Sequence, residues 1–322
     1  MTTLTTNGLR LDEVAIRKAP DGSMNAIVDA LMEENQIIED AIWREANDTF
    51  SNKGTRWVKE PSGAFRKLNK GSTFEKGETV AITDTIGILE SWSENDIKLI
   101  DAFPNPKQAR NDEAMAFVRG LGKTMASSII YSNTITTPEQ FTGIAPRLAS
   151  IAASDNVINE GGTGSDLTSI FVVDWAIDRA HMLFPKNSKV GLQHNDLGIE
   201  TVKDSDGNPF RAYVDQFVWD AGFTVKNQKS IGRIANIETS GSTNIFDEDN
   251  LIILLNRMTK GPGRRIYVNE TIMSQMQIRL KDKSNVNFSK GDGLDGGGNV
   301  MMFNMVPIRQ VDKIIDTEAA LT

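Results

Sequence analysis

An α+β fold is predicted by three features of this 322-residue sequence. The first is a long period-two ribbon. From Tyr213 one parity reads Tyr213, Asp215, Phe217, Trp219, Ala221, Phe223, Val225, apolar but for Asp215, while Gln216, Asp220, Thr224 and Lys226 fall on the other. Such alternation marks a half-buried strand, and thirteen residues would span about 43 Å. The second is a helical pattern: Ala114, Val118, Leu121, Met125 and Ile129 step by four, three, four and four. The third is order. Helical and extended patterns mix without the regular alternation of a doubly wound sheet, and there are no internal repeats.

Along the chain, residues 1–23 are polar and weakly patterned, and read as an arm. From Met24 to Ala46 the spacing of Ile27, Leu31, Ile38 and Ile42 predicts an amphipathic helix, with Glu33, Glu34, Glu39 and Asp40 on its other faces. "SNKGTRWVKEPSGAFRKLNKGSTFEKGET" is too polar to hold a core, and its "PSG" and "KG" mark turns, so an extended, two-stranded excursion is expected. Between Thr55 and Thr79 it sets Arg56, Lys59, Arg66, Lys67, Lys70 and Lys76 against Glu60, Glu75 and Glu78. A basic loop on an acidic protein suggests docking against an acidic neighbour, with a solvated flexible loop as the alternative.

"VAITDTIGILESWSE" reads as strand. Ala109 to Tyr131 follows as the main helix, roughly 33 Å long, with Asn111 or Asp112 as its cap. The Gly-rich "NEGGTGSD" precedes a buried strand, "SIFVVDW", and a short helix running to His181. "DSDGNP" is a turn between two extended segments. The last quarter offers a helix at about 247–260, a strand "RRIYVN", a helix "TIMSQMQIRLKDK", a glycine loop "KGDGLDGGGN" and a closing strand "MMFNMVPIRQVDKII".

Composition narrows the function. Hydrophobic residues make up 39% and charged residues 24%, which suits a globular chain. No run approaches the roughly 18 apolar residues of a membrane span, and "MTTLTTNGLRLDEV" lacks a signal peptide's apolar core. Cysteine is absent, so neither disulfides nor thiolate chemistry is available. A net charge of −8 argues against gripping nucleic acid by neutralising phosphates, though not against enclosing it. With two histidines, His181 and His194, the stock for triads and metal sites is thin.

The motifs are weak. "GLGKT", Gly120 to Thr124, ends like a phosphate-binding loop, but Phe117 stands where the pattern needs glycine and the segment lies within a helix. "KDSDGN" spaces Asp204, Asp206 and Asn208 like half a calcium loop, yet Gly207 comes one place early and no glutamate closes it, so a hairpin turn is preferred. A single "GDGLDGGGN" is a loop, since calcium-binding glycine repeats work in stacks. Neither histidine has a nucleophile's context, and Trp219 and Asp220 point to opposite faces of their strand.

Four phrases carry a resemblance: "FRKLNKGST", "YSNTITTPEQFTGIAPRLAS", "GLQHNDLGIETVKDSDGNPFRAYVDQFVWDAGFTVKNQKSIGRIANI" and "VPIRQVDKIIDTEAAL". In this order the chain resembles the major capsid proteins of short-tailed, podovirus-type bacteriophages, with the Hong Kong 97-like shell fold. The resemblance implies an N-terminal arm and first helix (1–49), an extended loop (50–80), and a peripheral domain (81–135) with a spine helix at about 109–131. It further implies a mainly axial region (136–299), whose ribbon 210–238 could belong to the peripheral domain, and a return strand (300–322).

By the same resemblance the chain is a non-enzymatic capsid protein. It forms pentamers and hexamers of an icosahedral shell around double-stranded DNA, with no sequence-specific binding, catalytic residue, metal or cofactor. A scaffolding protein, a portal at one vertex and a cement or decoration protein are the implied partners, no membrane is involved, and the site of action is the virion, assembled in the host cytoplasm. The start close to the arm suggests that the scaffold is a separate protein. Contacts between subunits are expected at Trp57, Arg66, Lys67 and Lys70 of the loop and at Glu33, Glu34 and Asp40 of the first helix. Some relatives cross-link a lysine to an asparagine. Lys67, Lys70 and Lys76 lie in the right loop, but no matching asparagine and carboxylate stand out, so cross-linking is not expected. The rivals are a cargo-enclosing nanocompartment of the same fold, a phosphate-handling enzyme built on Lys123 and Thr124, and a monomeric binding module.

Overall fold

The computed structural model describes residues 35–152, 154–280, 288–292 and 299–322. In chain order its elements are α1 (Ile37–Asp40), β1 (Trp43–Glu45), β2 (Ser51–Lys59), β3 (Glu78–Asp96), α2 (Ile97–Asp101) and α3 (Pro106–Tyr131). Then come α4 (Ile144–Arg147), β4 (Val157–Asn159), β5 (Leu167–Asp174), β6 (Ala180–Phe184), β7 (Gln193–Lys203), β8 (Pro209–Val225) and β9 (Ile231–Glu238). The last are α5 (Glu248–Arg257), β10 (Arg264–Val268), α6 (Glu270–Arg279), β11 (Phe288–Asp292), β12 (Asn299–Phe303) and β13 (Val306–Gln310). The class is α+β, as the mixed order predicts.

Two long strands build the first sheet, in the order β1-β6-β8-β3-β2 with β7 also on β8. The ribbon runs 17 residues as β8, and β3 runs 19. They pair antiparallel from Ile86↔Gly222 to Asp96↔Ala212. Alternation sorts their faces: Phe217, Trp219, Ala221 and Phe223 are buried, whereas Ile88 and Trp92 on the opposite face of β3 stay half exposed. "DSDGNP" is the hairpin turn between β7 and β8. There Asp204 accepts the amides of Asp206 (3.0 Å) and Asn208 (2.7 Å), and Gly207 takes φ +84°.

The second sheet runs β11-β12-β13-β10-β5-β9-β4. Strand β5, in its interior, is buried at every residue because both faces are covered. On one side Ile170, Val172, Ile234 and Ile266 pack with Leu251 and Leu254 of α5 and Ile272 and Met276 of α6. On the other, Phe171, Val173 and Tyr267 join Met125, Ile129 and Ile130 of α3 and Phe223 of β8 in the core that unites the two sheets.

Several boundaries differ from the sequence's expectation. Helix α3 begins at Pro106, and its cap is Asn105, which accepts the Gln108 amide at 3.3 Å, not Asn111 or Asp112. Proline at the first helical position is preorganised there, and the apolar spacing could not reveal it. The helix expected over Met24–Ala46 lies outside the described residues up to Glu34. Beyond that it is one turn, α1, and then becomes strand: β1 pairs parallel with β6, Trp43 opposite Met182, and Trp43 stacks on Trp219 at 6.1 Å. Pairing with a partner 139 positions on overrides the local helical spacing. For the same reason the expected short helix before His181 is a turn followed by β6. The closing strand is a hairpin, β12 and β13, turned by Asn304 and Met305 at φ 48° and 65°. Of the expected glycine loop, Lys290–Asp292 and Asn299 belong to β11 and β12, and 293–298 lie outside the described residues.

Candidate assembly surface

The extended excursion is where the chain offers most to a neighbour. Strand β2 and the start of β3 form its root, pairing from Ser51↔Thr85 to Lys59↔Glu78. Residues 60–77 carry no strand. Two polar ties shape them: Glu75 accepts the amides of Ser62 and Gly63 at 2.9 and 3.2 Å, and Arg66 donates to the Lys70 carbonyl at 3.2 Å. At the root, Trp57 lies over Gly77, where an added Cβ would come within 2.3 Å of the ring.

Among the described residues nothing apolar covers this segment. Trp57 is 62% exposed, and Phe65, Leu68 and Phe74 are exposed at 92% or more. Large apolar side chains thus stand in water beside Arg66, Lys67 and Lys70, an arrangement common where proteins meet partners. Of the residues singled out in the sequence, Trp57, Arg66, Lys67 and Lys70 therefore gather on one exposed loop. Glu33 and Glu34 lie outside the described residues.

Asp40 turns inward instead. Its side chain is 8% exposed and takes Arg265 at 3.4 Å, Arg309 at 3.3 Å and the Tyr267 hydroxyl at 3.1 Å. That hydroxyl also accepts from the Trp175 indole at 2.7 Å. Burial and the Asp40 charge push Tyr267 well above the ordinary tyrosine range, so it remains a neutral donor. Asp40 thus locks α1 to the second sheet within one chain.

Two more polar clusters hold the loop's platform together. Arg110 of α3 donates to Asp215 at 3.1 and 3.2 Å and to Asp196 at 2.9 Å, and lies 4.5 Å over the Tyr213 ring. His194 shares Asp215 at 2.9 Å and stacks on Phe217, which also stacks on Phe117 of α3. This pins the helix to the β7–β8 hairpin. Near the C-terminus, Glu318 accepts from Tyr131 at 2.5 Å, from Arg233 at 2.8 Å and from Ser169. Desolvation, then Glu318's charge, pushes Tyr131 far above its usual range. The sequence carried one hint of these clusters: Asp215 is the lone carboxylate on the ribbon's apolar parity.

Other motifs resolve into structure. Gly120 to Thr124 lies inside α3, so its backbone amides are committed to the helix and form no phosphate cradle. No cluster of three or more His, Cys, Asp or Glu suited to a metal exists among the described residues. No helix among them is long and apolar enough to cross a membrane.

Comparison with known proteins agrees with this geometry. No curated protein sequence matches the chain. A chain from the structure of bacteriophage Epsilon15 is 28% identical, with full coverage of both chains and a TM-score of 0.77. The bacteriophage JBD30 capsid is 12% identical over 93% of this chain and 98% of that one, at a TM-score of 0.50, a likeness of fold. The SrpI encapsulin of Synechococcus elongatus shares 9% identity over 72% of this chain and 98% of its own, at 0.48. The model of the family described as major capsid protein GP7 matches residues 19–322. With a Hong Kong 97-like fold and that match over nearly the whole chain, the chain belongs to the major capsid protein GP7 family and is a shell-forming protein of a bacteriophage head.

Proposed function

We propose that copies of this chain assemble as pentamers and hexamers into a closed icosahedral shell confining double-stranded DNA, and that the extended loop is the principal joint between copies. The loop's uncovered Trp57, Phe65, Leu68 and Phe74, ringed by basic residues, carry this reading. A neighbour's acidic surface would receive Arg66, Lys67 and Lys70, each exposed pair contributing about 1 kcal/mol or less, so cohesion comes from repetition in a closed lattice. The net charge of −8 suits a container that confines DNA without clamping it.

In this reading the first sheet with α3 is the peripheral unit, and the second sheet with α5 and α6 is the axial unit. Strands β12 and β13 extend the axial sheet. The return to α3 is then made by the last dozen residues through Glu318 and Tyr131. A separate scaffolding protein would time closure in the host cytoplasm, and a portal would take one vertex. The work is binding, with no catalytic step. Electron microscopy of the purified protein, co-expressed with its neighbouring genes, tests the reading: closed shells or hexameric plates support it, and monomers under every condition refute it.

A further inference from the structure

Where the extended loop leaves the first sheet, its root and the adjoining strands border an open cavity of about 360 Å³. The wall takes Arg44 and Glu45 from β1, Lys53 and Thr55 from β2, Asp84 from β3, His181 from β6, Thr224 from β8 and Lys226 just beyond it. Both carboxylates here accept hydrogen bonds, and Asp84 alone of the two has an ion pair among the described residues. Asp84 receives Arg147 at 2.7 Å and Thr224 at 2.6 Å, and Glu45 accepts the Asn187 amide at 2.8 Å. Of the cations, Lys53 pairs with Asp48, whereas Arg44 and Lys226 have no ion pair among the described residues.

Both cations bear on the titration of the groups around them. Burial, then the charge of Arg44, lowers the Lys226 ammonium from its usual range, with Asp178 opposing. His181, 1% exposed, has an Nδ1 with no hydrogen-bond partner. Burial, then Lys226 and Arg44, brings its pKa down to about 4, against the pull of the Ala176 backbone and Asp84. Arg44 and Lys226 against the single unpaired carboxylate of Glu45 leave the lining net positive, which an anion would relieve.

We propose that this cavity is an oxyanion site, which takes a phosphate or carboxylate group between Arg44 and Lys226. The guanidinium fork suits two oxygens of one such group, and the ammonium adds a point charge. Because the wall joins β1, the end of β8 and the loop root, a bound anion would fix the angle at which the loop leaves the sheet. Two sources share this chemistry: a free phosphate, or an Asp or Glu side chain of a second copy.

Inorganic phosphate is the probe, titrated calorimetrically into the unassembled full-length subunit against chloride of equal ionic strength. Saturable binding is expected, weakened at least about tenfold in Arg44→Gln and in Lys226→Met. Lys226→Arg, and Lys203→Met at the hairpin tip, keep it, and circular dichroism verifies that each variant folds. Histidine NMR gives a second readout that loose surface charge would not move: phosphate raises the His181 pKa, since an anion favours the imidazolium. Assembled shells separate the sources. If shells bind phosphate as subunits do, the ligand is a free anion; if subunits alone bind it, a neighbour's carboxylate fills the site in the shell. No saturable binding to the subunit, or undiminished binding in both Arg44→Gln and Lys226→Met, overturns the proposal.

Discussion

Arg110 holds both carboxylate oxygens of Asp215, at 3.1 and 3.2 Å, across 105 positions of sequence. Asp215 is 6% exposed in its side chain and Arg110 23%, so neither is well solvated. Removing Arg110 leaves the buried Asp215 with His194 as its remaining side-chain partner. Arg110→Ala is expected to destabilise the subunit by about 3 kcal/mol, the usual cost of breaking a buried pair. Urea unfolding of the unassembled subunit measures it. A loss below about 1 kcal/mol would class the contact as an ordinary surface pair.

Glu318 plays the corresponding part at the other end of α3. Arg233 is 7% exposed in its side chain and depends on it. Glu318→Gln should cost about 3 kcal/mol and release residues 315–322. Hydrogen exchange would show this as lost protection at the Glu318 amide, which is bonded to the Leu167 carbonyl at 2.8 Å. Unchanged protection there would contradict the assignment.

Glu160 makes stability depend on pH. Burial first, and Asp247's charge, raise its pKa from 4.5 to about 7, against the opposing hydrogen bond from Asn250. Between those values the folded chain holds a proton that the unfolded chain has lost. This group's contribution is therefore complete below about pH 4.5 and is lost as pH rises through 7. Allowing for its partial exposure, the fall amounts to about 1–2 kcal/mol. Glu160→Gln should remove that part of the slope in melts taken across this window, and an unaltered slope would show that another group causes it.

How much of this was legible in the sequence depended on the range of each contact. The body of α3 was, because Met125 and Ile129 face one core and the apolar residues before them keep the same spacing. The ribbon was too, since alternation is a local signal. β1 was not: Trp43 belongs to a strand because Met182 and Trp219 are there to receive it, and both lie far along the chain. Asp40 read as an exposed acid on a helix face, and only folding brings Arg265 and Arg309 to it. Of the surface, the loop's basic composition was plain, whereas the exposure of Phe65 and Phe74 among the described residues needed coordinates. Asp215 stood out by parity, but nothing in the sequence joined it to Arg110.

The loop's apolar residues should matter to assembly and not to folding. Phe65 and Phe74 touch no core, so replacing both with serine should move subunit stability by no more than about 0.5 kcal/mol. The decisive measurement is sedimentation velocity of Phe65→Ser/Phe74→Ser beside the unaltered protein, each co-expressed with its neighbouring genes. The account predicts shells from the unaltered protein, and folded but unassembled subunits from the variant. Shells of equal yield and stability from both would contradict the claim that this loop joins the copies.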